Sequence, residues 1–224
     1  MNKTFAPVAL CVLALSLVSL AADKTRVTTD PIKGGDVAQV EPQIPGLLVF
    51  SSNLDQIAKG KYYCCSGNVI AGPANPQGES PFNEAIQFTL SAASHIRLLA
   101  TSVNYIVQNT GTTFEFNIEA DASGVPSGTP INTRPYKVTV DSQTFGQCCL
   151  LENKTVNLSL AAGTYWVVWG TDSSSDLFAE VNVAIHDQVD AVNVAYSPSS
   201  GTAGSWIPYT TNLPFAIRVA GTTP

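Results

Sequence analysis

Between Leu158 and Gly170 the chain reads LSLAAGTYWVVWG. Side chains alternate across a strand, so Tyr165, Val167 and Trp169 share one face while Trp166 and Val168 share the other. A segment apolar on both faces predicts a central strand covered on each side. Val156, Leu158 and Leu160 predict the strand before it, and Ala161-Ala162-Gly163 predicts a tight turn joining the two as a hairpin.

The same period of two recurs along the chain. Ile86, Phe88 and Leu90 alternate with Gln87 and Thr89, and Ile96–Val107 extends a long strand with room for a bulge. Phe114, Phe116 and Ile118 alternate with Glu115, Asn117 and Glu119, which predicts one face in the core and an acidic face in water. Leu47–Phe50, Tyr62–Ile70, Tyr136–Val140, Phe178–Ile185, Val192–Tyr196, Trp206–Tyr209 and Phe215–Val219 complete the strand candidates. Loops rich in Gly, Pro, Asn or Ser separate them at Ala71–Pro81, Asp121–Pro130 and Thr171–Asp176. Short strands with turn signals roughly every 8–12 residues predict an all-β fold, a single jelly-roll-like β-sandwich. No repeat at a fixed period is present.

The N-terminus departs from this pattern. Met1-Asn2-Lys3, the apolar run Phe5–Leu20 and the small residues before Ala22 have the three parts of a secretory signal, with cleavage expected after Ala21. The run is shorter than the ~20 apolar residues of a spanning helix, and no second such run follows. Residues 22–45, with Pro31, Pro42, Pro45 and Gly34-Gly35, read as a flexible lead-in. The division is therefore 1–21 signal peptide, 22–45 lead-in and 46–221 sandwich domain. The location expected is the extracellular space or cell envelope.

A length of 224 residues suits one well-cored domain. A net charge of −6 argues against nucleic acid and anionic membrane surfaces as partners, because no basic patch is available to neutralise phosphates. Once Cys11 leaves with the signal, four of the five cysteines remain, as the adjacent pairs Cys64-Cys65 and Cys148-Cys149. In an exported protein these four are expected to form disulfides. Bonding neighbours to each other would distort the peptide between them, so the two connectivities joining one pair to the other stay open. Metal and redox sites need wider spacing than adjacent residues.

Catalytic patterns are sparse. No G-x-S-x-G, H-E-x-x-H, Walker or G-x-G-x-x-G motif occurs, and nothing calls for a metal or a cofactor. His95 and His186 read as surface or turn residues. Glu115 and Glu119 share a strand face but stand about 13 Å apart, beyond the ~5–9.5 Å of glycosidase carboxylate pairs. Asp172, Asp176 and Glu180 surround a Ser-rich loop without the spacing of a calcium motif. Asn153-Lys154-Thr155 and Asn157-Leu158-Ser159 fit the N-glycosylation rule for a secretory eukaryote. The aromatics suggest one ligand class, because sandwich domains can stack sugar faces on exposed rings. Trp206, Tyr209 and Trp169 are the candidate platforms.

Tyr63-Cys64-Cys65-Ser66-Gly67, Gly124-Val125-Pro126-Ser127-Gly128, Cys148-Cys149, Leu160–Val168 and Phe215–Gly221 together resemble the bacterial exported proteins called choice-of-anchor R domain proteins. The resemblance runs from about Leu47 to Gly221. It implies a secreted or surface-displayed β-sandwich, in a group whose members often end in an anchoring tail and carry no catalytic residues to transfer. This chain differs in ending Gly221-Thr222-Thr223-Pro224 without a hydrophobic segment, and in having Leu177-Phe178 where members usually have Trp.

The function expected is a non-enzymatic exported module that binds a polysaccharide or another surface protein, or builds a surface structure. The competing expectation is a hydrolase acting on glycans or peptides through loop carboxylates such as Asp121, Asp172 and Asp176.

Overall fold

The alternating runs fold as strands because each pairs antiparallel with its neighbours and buries one apolar face. The computed structural model describes residues 25–26, 48–52, 62–106, 113–132, 135–140, 150–172, 174–184, 192–198, 205–211 and 215–224. Its strands are β1 (Thr25–Arg26), β2 (Leu48–Ser52), β3 (Tyr62–Ala71), β4 (Asn83–Leu90), β5 (Ser94–Tyr105), β6 (Thr113–Asp121) and β7 (Pro126–Pro130). They continue as β8 (Tyr136–Thr139), β9 (Leu150–Leu160), β10 (Gly163–Gly170), β11 (Phe178–Ala184), β12 (Val192–Ser197), β13 (Ile207–Thr211) and β14 (Ile217–Thr222). Two seven-stranded antiparallel sheets result, and the fold is the expected all-β sandwich. Among the described residues no helix is long and apolar enough to cross a membrane.

In the first sheet β5 is the organiser. One edge pairs with β9; the other pairs with β14 and then, at Val103–Tyr105, with β11. β2 extends from β14, and β3 and β1 extend from β11. The bulge expected in this long strand is present, as a register shift against β9 between Ile96 and Leu98. It changes the phase of the alternation, so Ile96 and Leu99 both reach the same core despite their odd spacing. Opposite the bulge a Cβ on Gly221 would lie 2.0 Å from the His95 carbonyl oxygen, so only glycine fits there.

The second sheet runs β13-β12-β4-β10-β6, and the far edge of β6 is shared by β8 and β7. β10 is central, flanked by β4 and β6, as its two apolar faces predicted. The hairpin at Ala161-Ala162-Gly163 is not formed. β9 pairs with β5 in the first sheet while β10 pairs in the second, so the turn carries the chain from one sheet to the other. The loop Asp121–Pro130 also differs from expectation, because its second half is strand β7. Proline is tolerated there because β7 lies at the sheet edge.

The core fills the space between the sheets. Ile86, Phe88, Phe116, Ile118, Val167 and Trp169 come from the second sheet and meet Ile70, Leu99, Val103, Tyr105, Ile217 and Val219 from the first. Trp169 meets Phe215 edge-on, with ring centroids 5.2 Å apart. Two carboxylates enter this interior, each with partners: Glu152 accepts from the Tyr105 hydroxyl at 3.0 Å, and Glu84 accepts from Asn68 at 3.0 Å.

Candidate functional site

The outer face of the second sheet is the less ordinary one. Register places Asn193, Gln87, Trp166 and Glu119 in one row across β12, β4, β10 and β6, and Ala195, Ala85, Val168 and Asn117 in the next. Ala85, Ala195, Trp166 and Val168 form a second, smaller buried cluster, and the half-buried Trp206 packs against it. Gly170 continues the small-residue strip: a Cβ there would lie 2.6 Å from Asn83 Oδ1. An aromatic floor thus lies among amides and carboxylates.

Hydrogen bonds order part of this face. Asn193 Nδ2 donates to Gln87 Oε1 at 2.8 Å, and Gln87 Nε2 donates to Asp121 Oδ1 at 3.2 Å. Trp166 Nε1 donates to the same oxygen at 2.8 Å, and the Gly124 amide donates to Asp121 Oδ2 at 3.1 Å. Gly124 (φ 90°) and Ser123 (φ 62°) take left-handed conformations that aim the turn back at the carboxylate. Burial works against charge on Asp121, but donors from Trp166, Gly124, Gln87 and Ser123 outweigh it and hold the carboxyl below its usual range. Glu119 takes the Gly128 amide on Oε2 at 2.6 Å, yet burial dominates and pushes its carboxyl up to about 7.

Other polar atoms on this face are left over. Asn117 and Glu119 are 2 % and 0 % exposed, and Asn117 Oδ1 and Glu119 Oε1 are buried acceptors without a hydrogen-bond partner. Trp206 Nε1 is a buried donor without one. The face therefore departs from the solvated acidic strand face expected from sequence: Glu115 is buried and ion-paired with Lys137, and Glu119 is buried and accepts from Gly128 of β7.

The candidate platforms separate. Trp206 belongs to this outer face. Trp169 is fully buried between the sheets, and Tyr209 points inward, packed on the core and edge-on to Tyr196. The Tyr209 hydroxyl accepts from Asn68 at 2.7 Å and lies 3.5 Å from Glu84 Oε2, so neither ring is presented for stacking. The sequence points to Trp169 rather than Trp166 as a platform and does not bring Trp166 together with its neighbours. The signal available was polar Gln87, Asn117 and Glu119 flanking that ring on adjacent strands, but it needs the strand order to be read.

Asp121 and Asp172 do not converge. Asp121 ends β6, whereas Asp172 accepts from Thr113, the first residue of β6, at 3.1 Å. Eight residues of strand separate those ends by about 26 Å. Asp172 instead ties its own loop through Ser174, whose amide, first among several donors, holds the carboxyl below its usual range. Among the described residues no cluster of three or more His, Cys, Asp or Glu could hold a metal ion. His95 is braced between Ser159 and Arg97 at 2.9 and 3.1 Å, a strand-surface role. His186, Cys148 and Cys149, and the side chains of Cys64 and Cys65, lie outside the described residues, as do the signal and most of the lead-in.

Fold and face together define a two-sheet β-sandwich with an aromatic-floored polar outer surface. Comparison of the chain with protein-family models, curated proteins and solved structures gives no match.

Proposed function

We propose that this chain is an exported, non-enzymatic binding module whose outer second-sheet face engages a polysaccharide. The observation that carries the reading is the pair of buried, unpartnered acceptors on Asn117 and Glu119 beside the Trp166 floor. Leaving such groups unmet costs on the order of 1–3 kcal/mol each, a cost a ligand can relieve. The secretory signal and the resemblance to choice-of-anchor R proteins support an address at the cell surface or beyond. The test is retention of the purified chain on a panel of insoluble polysaccharides beside Trp206→Ala. Retention weakened by the substitution supports the module; no retention on any polymer removes it.

A second reading, a glycan hydrolase, draws on one observation. Glu119 and Asp121 stand two residues apart on one strand face, about 7 Å between their Cα atoms, with one acidity raised and the other lowered. Release of reducing ends from soluble glycans, abolished by Glu119→Gln, would favour this reading over the module.

A further inference from the structure

We infer that the ligand of this face is an uncharged glycan chain lying across the strands, giving hydroxyl protons to Asn117 and Glu119 and a hydroxyl oxygen to the Trp206 indole. The inference rests on the binding-module reading above and narrows it to a chemical class. Three unmet atoms on this face are two acceptors, Asn117 Oδ1 and Glu119 Oε1, and one donor, Trp206 Nε1. A carboxylate or sulfate only accepts; it could answer Trp206 but would set lone pairs against Asn117 and Glu119. An ammonium only donates and would leave Trp206 unanswered. A hydroxyl does both.

Charge selects the same way. Glu115, Glu119 and Asp121 all stand on the outer face of β6, and the rim cation Lys137 is engaged by Glu115. An anionic polymer would meet like charge here and find that cation already paired. Distance sets the size. Four strand spacings separate β13, next to Trp206, from β6, which makes about 19 Å. The Trp206 ring packs inward on the intervening cluster, yet the polar row from Asn193 on β12 to Glu119 on β6 still crosses three spacings, about 14 Å, which a chain of sugar rings covers and a single small polyol does not. Ala195, Ala85, Val168 and Trp166 lie between, an apolar strip buried in the free protein with Trp206 packed against it, on which the C–H faces of those rings can rest once it is uncovered. Because Asn117 and Glu119 are buried in the free protein, the chain must part the groups that cover them, with Trp206 at its other end.

The experiment is titration calorimetry of the purified chain with soluble neutral glycans (mixed-linkage glucan, xylan, mannan) and acidic ones (polygalacturonate, dextran sulfate). Asn117→Leu removes one acceptor, and Trp206→Phe keeps a ring but removes the indole donor. One neutral glycan is expected to bind, with each substitution weakening it about 5- to 10-fold, the effect of one hydrogen bond. Thermal unfolding identifies a variant that fails to fold, and the other variant then carries the test. Tighter binding of an acidic glycan, or neutral binding indifferent to both substitutions, overturns the inference while leaving a glycan-binding module in place. Absence of binding by every glycan removes the module and the inference together.

Discussion

The two faces of the second sheet bury the same kinds of residue in opposite ways. Each face contains a fully buried tryptophan on β10, Trp169 inward and Trp166 outward, and each contains a buried glutamate, Glu84 inward and Glu119 outward. Inside, Glu84 faces Asn68 of the other sheet and Tyr209 of the sheet edge, partners the fold itself brings in. Unmet atoms occur on both faces, Asn68 Oδ1 and Trp169 Nε1 inside and Asn117 Oδ1 and Glu119 Oε1 outside, but among the described residues no opposing sheet stands over the outer pair. An unmet atom between the sheets is shut in by the fold on both sides. One on an outer face lies where a partner from beyond the chain can reach it.

The largest effect that separates the faces is truncation of the tryptophans. Trp169→Ala should cost about 3–5 kcal/mol in denaturant unfolding, the range for large aromatic deletions in a close-packed core. Trp166→Phe keeps most of the apolar volume but takes a donor from Asp121, and should cost about 1.5–3 kcal/mol. If Trp166→Phe matched Trp169→Ala, the outer cluster would be a second core and the contrast would fail.

The glutamates give a contrast in pH. Burial raises the Glu84 carboxyl well above its usual range, with hydrogen bonds from Asn68 and Tyr209 opposing, and burial raises Glu119 to about 7. A carboxyl whose folded value is raised binds its proton more tightly when folded. Its contribution is full below the unfolded value near 4.5 and is lost as pH rises through the folded one. Glu119→Gln should therefore flatten the stability curve between about pH 4.5 and 7, and Glu84→Gln should flatten it over a window opening at the same lower bound. Unfolding midpoints measured across pH check both. An unchanged slope in Glu119→Gln would mean that the outer carboxyl is solvated and the face open.

Much of this was legible in the chain and part was not, for a physical reason. Alternation is local, so the strand at Phe114–Ile118, the central character of β10 and the bulge in β5 follow from residue order. Pairing partners are not local. The turn at Ala161–Gly163 has the composition of a hairpin, and only tertiary pairing makes it a crossing between sheets. Likewise Glu115, Asn117 and Glu119 have the pattern of a wet face. Their partners come from neighbouring strands, Gly128 of β7 for Glu119 and Lys137 of β8 for Glu115, whose places no short window of sequence contains. The site was missed because its residues come from β4, β6, β10, β12 and the residue before β13.

The smallest expected effect is the most discriminating. Asn117→Leu deletes a buried acceptor that has no partner and replaces it with a side chain of similar size beside Val168. If the outer face exists for the fold, this asparagine should be like any buried amide, and its loss should destabilise. If the acceptor is held for a ligand, the free protein gains by losing it, by about 1 kcal/mol, because the desolvation cost of an unmet group disappears. The inner-face counterpart, Asn68→Leu, should go the other way and cost about 1–3 kcal/mol, because it takes a donor from both Glu84 and Tyr209. Opposite signs in a single denaturant series would establish that the two faces answer to different constraints. The same sign in both would make Asn117 part of the structure, and the polar outer face would lose its claim to a ligand.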